Sequence, residues 1–183
     1  MPADEEEVPI QNQVRELQLA ALFGLIPTRR RLGVDAHDEH GNEYELKSTT
    51  KGGVGTGRDV SIAMLEAWQR RYWIVGKGKN LRSGFVFDEL YFLAPAMICD
   101  RLTEIADKIK PDLELRDLVV PLLKGRLTET QLERLHYLIS RGATLNNPKI
   151  SWKYIQTKGI KIEGNPRERL RRLIRQYPLT SAR

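Results

Sequence analysis

The sequence predicts an α/β domain with a central mixed β-sheet flanked by helices. An amphipathic helical stretch precedes two strands around a turn, and a second such pair follows another helix. The middle of the chain is helical, without the strand–helix alternation that a regular parallel sheet requires. With 183 residues, 40% hydrophobic and 30% charged, the chain can bury one substantial core and has a globular rather than a disordered balance.

Each element has a local signature. Residues 1–10 form an acidic leader around Asp4-Glu5-Glu6-Glu7. From Asn12 to Phe23, Val14, Leu17, Leu19, Ala20, Ala21 and Leu22 give an apolar stripe that ends at Gly24, with Pro27 beyond it. Residues 33–38 and 43–49 read as strands around Glu39-His40-Gly41-Asn42. A Gly-rich loop covers Lys51 to Arg58. Near Asp59, a good N-cap, a helix begins that carries Ile62, Leu65 and Trp68 on one face. Tyr72 to Val75 and Phe85 to Leu93 make a second hairpin, joined by a basic turn from Lys77 to Ser83.

Two helices follow, from about Asp100 to Ile109, with Pro111 after it, and from about Leu113 to Leu123. Another starts at Thr128, whose spacing to Gln131 is that of a capping box, and ends before Gly142. Asn146-Asn147-Pro148-Lys149 then turns the chain into Ile150 to Ile155, read as a strand. The last helix opens at Asn165-Pro166 with Glu168 in its third position. The expected organisation is a leader (1–10), one domain (11–163) with a helical insertion over about 96–144, and a basic C-terminal helix and tail (164–183).

Thirty Lys and Arg against twenty-four Asp and Glu leave a net charge of +6, and the basic residues cluster at Arg29–Arg31, Lys77–Arg82 and Arg167–Arg175. That distribution suits a polyanionic partner as well as it suits a solvated surface. Arg167, Arg171 and Arg175 share one helical face and are candidates for contacts to flanking phosphates. Cys99 is the only cysteine, which excludes an internal disulfide and a cysteine zinc site. No apolar run could span a bilayer, and the acidic start does not read as a signal peptide; a cytoplasmic protein is expected. Gly52 to Asp59 lies where a phosphate-binding P-loop would, but Arg58-Asp59 replaces the required Lys and Ser or Thr, which excludes that motif.

The informative stretch is Gly33 to Ser48. Strand alternation puts Glu45 and Lys47 on one face. A three-residue loop, Glu39-His40-Gly41, with Gly41 in the left-handed region, would pair Asp38 with Asn42 and set Asp35 opposite Glu45. Two carboxylates and an ammonium group would then converge. Such a patch suits metal-assisted phosphodiester hydrolysis: magnesium takes carboxylate, carbonyl and phosphate oxygens, and a lysine orients or deprotonates the attacking water and stabilises the transition state. A same-face ion pair on a half-buried strand is the competing reading of Glu45-x-Lys47.

The segment ending Glu43-Tyr44-Glu45-Leu46-Lys47-Ser48 resembles the catalytic segment of the PD-(D/E)xK nuclease superfamily, and more narrowly of its type II restriction endonucleases. Glu16 to Pro27, Trp73 to Leu93, and Asn146-Asn147-Pro148-Lys149-Ile150 followed by Lys153-Tyr154 are similar to further parts of such an enzyme. Most of Val14 to Ile162 is covered, with Ala96 to Thr144 largely unmatched. The resemblance implies a restriction-endonuclease-like core, with Asp35, Glu45 and the Leu46 backbone carbonyl holding one or two Mg2+ ions per active site. It implies Lys47 as the catalytic lysine, Asn146 and Asn147 as DNA contacts, and Lys149 as a phosphate contact.

The histidine-rich base-reading stretch of such enzymes is replaced here by Gly53-Val54-Gly55-Thr56-Gly57-Arg58. There Arg58 is suited to guanine, and Thr56 is a second candidate for a base edge. Trp68 stands where a tyrosine near the metal is found. The resemblance further implies a homodimer, with the first helix contributing to the interface, that cuts double-stranded DNA at a short palindromic site. A cognate DNA methyltransferase would protect the host. Other nucleases of this superfamily (a junction resolvase or a nicking repair endonuclease) and a non-catalytic DNA-binding regulator are the alternatives.

Overall fold

A computed structural model describes residues 12–28, 33–57, 60–81, 84–142 and 148–179. It is an α/β fold with a mixed central sheet. Helix α1 (Asn12–Phe23) has the predicted bounds, and Gly24 leaves it at φ 69°. Its buried line is Arg15, Leu19, Ala20 and Phe23, whereas Val14, Leu17 and Leu22 of the predicted stripe face outward. The apolar residues of this helix thus occupy two faces, and only one of them meets the sheet.

Strands β1 (Ile26–Pro27), β2 (Ala36–His37) and β3 (Glu43–Thr49) are joined antiparallel. After a short strand β4 (Gly53–Gly55), helix α2 (Ile62–Trp68) carries the chain over to β5 (Tyr72–Leu81), which lies parallel to β3. Ser61, whose hydroxyl accepts from the Met64 N–H, is the N-cap of α2 in place of the expected Asp59. Strand β6 (Gly84–Leu93) returns antiparallel to β5.

The expected turn from Lys77 is instead strand as far as Leu81. A Cβ at Gly78 would overlap the Val86 carbonyl, and one at Gly76 would overlap the Phe87 ring. Gly78 marks close backbone approach at a bulge, not a turn, and Gly76 leaves room for the Phe87 ring.

Helix α3 (Pro95–Leu123) runs unbroken through Pro111 and Pro121, where two helices were expected. A mid-helix proline costs about 3 kcal/mol. Ile98, Leu102, Ile105 and Ile109, with Leu113 beyond Pro111, pack along one core and offset that cost. Helix α4 (Glu129–Ser140) has the predicted capping box from Thr128 to Gln131. Strand β7 (Lys149–Ser151) is shorter than expected because Ser151 caps a new helix, α5 (Trp152–Lys158). Strand β8 (Ile160–Lys161) and helix α6 (Pro166–Gln176) follow, with Asn165 as the predicted N-cap.

The main sheet has the order β1-β2-β3-β5-β6-β8, and β4 with β7 forms a separate ribbon. One face packs Trp73, Val75 and Leu93 against α2, α3 and α5. The other packs Tyr44, Leu46, Ile74 and Phe92 against α1 and against Leu170 and Leu173 of α6. The basic C-terminal helix is thus part of the core, and so is the first half of the expected insertion. Leu118, Leu135 and Leu138 form a small separate cluster between α3 and α4. Among the described residues no helix is long and apolar enough to cross a membrane.

Ile98→Ala is expected to lower global stability by about 2–5 kcal/mol. Leu138→Ala is expected to weaken hydrogen-exchange protection in α4 while leaving the β5 amides as protected as before, because its cluster opens apart from the sheet. Equal loss of protection in both elements would show that the lobe and the sheet unfold together.

Candidate active site

The hairpin closes as its sequence requires. Gly41 takes φ 80°, Gly41 N–H donates to the Asp38 carbonyl at 3.1 Å, and Asp38 N–H donates to Asn42 at 3.2 Å. The Asp38 carboxylate accepts from the His40 and Asn42 backbone N–H groups, the Asn42 amide and the Tyr44 hydroxyl, at 2.8–2.9 Å. Burial alone would raise its pKa, but these donors hold it below the ordinary value. The pairs Ala36–Tyr44 and His37–Glu43 fix the register, and continuing it places Asp35 across from Glu45.

The Lys47 ammonium lies 2.6 Å from Glu45 Oε1 and 3.6 Å from Asp35 Oδ2. Asp35 Oδ2 also accepts the Leu46 N–H at 2.8 Å. Backbone groups of alternate residues leave a strand at the same edge, so the Leu46 carbonyl points to the β2 side as Tyr44 does. Strand β2 begins only at Ala36, and no strand residue faces Leu46 there. The predicted ligand set therefore occupies one corner of the sheet.

The corner has a buried support. Arg71 Nη1 stands 3.4 Å from Glu45 Oε2 and donates to the Gly33 carbonyl at 3.0 Å, while its Nε meets Glu43 at 3.0 Å. Lys47 Nζ lies 5.9 Å from the centre of the Trp68 ring, which packs edge-on against Trp73. Arg71 precedes β5, and the parallel pairing of β3 with β5 delivers it to this corner. Glu16, from α1, shares with Asp35 and Leu46 a cleft of about 270 Å³. Neither residue carries a sequence signal for the site: Glu16 lies inside a helix, and Arg71 depends on a long-range pairing.

Burial pushes the Glu45 carboxyl up to about 7; Lys47 and Arg71 pull against this, and Asp35 adds to it. Burial likewise brings Glu16 to about 7, opposed by Lys47 and reinforced by Asp35 and Glu45. For Lys47 burial acts downward, yet Glu45, Asp35 and Glu16 together outweigh it and raise its pKa. The partners differ because Lys47 faces three carboxylates, whereas Glu45 is buried almost completely.

Among the described residues no three His, Cys, Asp or Glu side chains stand close enough to hold a metal alone. Two carboxylates and an edge carbonyl nonetheless fit a hard cation that keeps other positions for water and phosphate.

The structure places the remaining candidates unequally. Strand β4 pairs with β7, Gly53 opposite Ser151 and Gly55 opposite Lys149, so the Gly-rich stretch is tied down rather than an open loop. A Cβ at Gly53 would come within 2.9 Å of the Ile150 carbonyl, which explains that glycine. Thr56 was expected to offer its hydroxyl to a base edge. Instead it is buried and donates that hydroxyl to the Pro148 carbonyl at 2.9 Å, so it fixes the β7 entry. Lys149 is exposed beside β4. Arg58, Asn146 and Asn147 lie outside the described residues.

Arg167 donates to the Ala21 carbonyl at 3.0 Å. With Arg171 and Arg175 it lines a cleft beside Asp38, Glu39 and His40, at the turn of the hairpin and not at the end that carries Asp35 and Glu45.

Glu16 and Glu45 bind protons more tightly when folded than at their ordinary value of 4.5. Their contribution to stability is complete below that value and is lost as pH rises through about 7, by at most about 1.4 kcal/mol per pH unit for each group. Urea midpoints at pH 5 and pH 7.5 test this: the wild-type midpoint is expected to be higher at pH 5, and Glu16→Gln is expected to narrow the difference. An unchanged difference would exclude Glu16 from the effect. No protein-family model matches this chain, and no curated protein matches it.

Proposed function

We propose that the protein is a magnesium-dependent endonuclease of double-stranded DNA, a type II restriction enzyme with a restriction-endonuclease-like core that acts as a homodimer. The observation that carries this reading is the corner itself, with Lys47 between Glu45 and Asp35, and Asp35 pinned by the Leu46 N–H. Mg2+ bound through Asp35, Glu45 and the Leu46 carbonyl would supply positive charge to a phosphoryl oxygen and lower the pKa of the attacking water.

The chain's own groups do the rest. Arg71 holds one Glu45 oxygen, which leaves the other directed at Lys47. Lys47, kept cationic by three carboxylates, stabilises the negative charge that builds on the pentacovalent phosphorus rather than taking a proton itself. Glu16, with a pKa of about 7, can accept or release a proton near neutral pH in the same cleft. The outward apolar residues Val14, Leu17 and Leu22 of α1 support the homodimer. The corner serves one strand, and a two-fold partner would serve the other.

Incubation with Mg2+ and phage DNA tests the proposal. Discrete fragments are expected, lost on chelation, with Lys47→Ala reducing the rate roughly 100- to 1,000-fold or more while DNA binding persists. Cutting only at four-way junctions would replace restriction with junction resolution. Equal binding and no cutting by wild type and Lys47→Ala would make the protein a DNA-binding regulator.

A further inference from the structure

The helical lobe formed by the end of α3 and by α4 is short of a core. Its buried residues are Leu118, Leu135 and Leu138, with Leu115 and Leu127 packed against them. Of the eleven large apolar side chains exposed among the described residues, six lie here: Val119, Leu122, Leu123, Leu132, Tyr137 and Ile139. Single exposed leucines need no cause, but six on one pair of helices make a patch. Two helices alone bury little, and the common remedy is a second pair that completes a four-helix bundle.

The patch has a definite side. Arg134 donates to both carboxylate oxygens of Glu114, each at 2.6 Å, and so closes one side of the helix pair. Successive helical residues turn by about 100°. From Leu118, Val119 and Leu122 therefore turn away from the Glu114 side. From the line of Leu135 and Leu138, Leu132 and Ile139 turn away from the Arg134 side. The two helices run antiparallel, so these four residues share the open side of the pair. Tyr137 is not among them, since its ring lies under Arg134 at 4.9 Å.

The charges beside the patch are self-complementary. On the open side, Arg116 of α3 and Glu129 of α4 hold the flanking positions that Glu114 and Arg134 hold on the closed side, with the signs exchanged. Both are exposed. Glu129 makes no ion pair among the described residues, and Arg116 makes only a 3.5 Å contact with its neighbour Asp117.

We infer that the open side of α3 and α4 binds the same side of a second copy of this chain, forming a four-helix bundle about a two-fold axis. The axis runs along the helices, so α3 of each copy meets α4 of the other, antiparallel as within one chain. Leu122, Val119, Leu132 and Ile139 fill the new core. Arg116 then faces Glu129 of the second copy, and the symmetry repeats the pair. A basic flank on α3 and an acidic one on α4 are what such a two-fold contact requires.

With α4 about 18 Å long and two helices side by side about 20 Å wide, the footprint is roughly 350 Å² per copy. That is at the low end for a specific interface, so the association is reversible. It is separate from the α1 face and does not depend on the reaction the protein performs.

Sedimentation velocity of the full chain across a concentration series tests this. Leu132→Glu with Ile139→Glu is expected to remove one association step, raising its Kd at least about tenfold. Tyr137→Glu, on the closed side, is expected to leave that step unchanged. Arg116→Glu and Glu129→Arg are each expected to weaken it about fivefold, with helical circular dichroism unchanged because both side chains are exposed. An equimolar mixture of these two single variants is expected to associate as wild type does, since every flank then meets its opposite charge. A contact within one chain could not be restored by mixing.

A mixture that associates no better than its components would overturn the assignment, and so would a wild type that stays monomeric throughout the series. Association abolished by Leu17→Glu on α1 and untouched by Leu132→Glu with Ile139→Glu would overturn it too, in favour of the α1 face. The reverse result would uphold the lobe contact and reject the α1 dimer.

Discussion

Burial of Glu45 beside Lys47 is the constraint on which the rest of the site depends. A carboxylate at 2% exposure is tolerable only if its environment answers it, and here the answer comes from three directions. Lys47 arrives from two residues along the same strand, and Arg71 from the start of the parallel strand beside it. The third response is protonation, since burial lifts the Glu45 pKa into the neutral range. Removing either cation would leave a buried charge with one partner. That explains why Arg71 is itself anchored on Glu43 and the Gly33 carbonyl.

The crossover from β3 through α2 to β5 is the structural means to this end. It places Trp68 beneath Lys47 and Arg71 behind Glu45, so one helix and its flanks supply both the apolar floor and the counter-charge. Trp73 then locks Trp68, with its indole N–H on the Trp68 carbonyl. The hairpin brings Asp35, Glu45 and Lys47 together, and the crossover makes their burial tolerable.

What the sequence disclosed follows the range of the interactions. The hairpin register was legible because Gly41 and a three-residue loop determine it locally, and with it the meeting of Asp35, Glu45 and Lys47. The α4 capping box and the Asn165 cap were legible for the same reason. Distant partners were not. Gly78 looked like a turn residue until β6 supplied the backbone atoms that exclude a side chain, and Pro111 looked like a helix end until the core packed on both sides of it. Thr56 could not be read as a clamp, because its partner Pro148 is 92 residues away. Glu16 and Arg71 were invisible on the same account.

The β4–β7 ribbon has a consequence for the order of assembly. It joins residues 53–55 to 149–151, so the ribbon cannot close until the chain has grown nearly a hundred residues past β4. Such distant pairings are late and entropically costly steps in folding. The hairpin, by contrast, closes over a few residues. During synthesis the hairpin that carries Asp35, Glu45 and Lys47 would therefore be complete well before the ribbon that ties down residues 53–55.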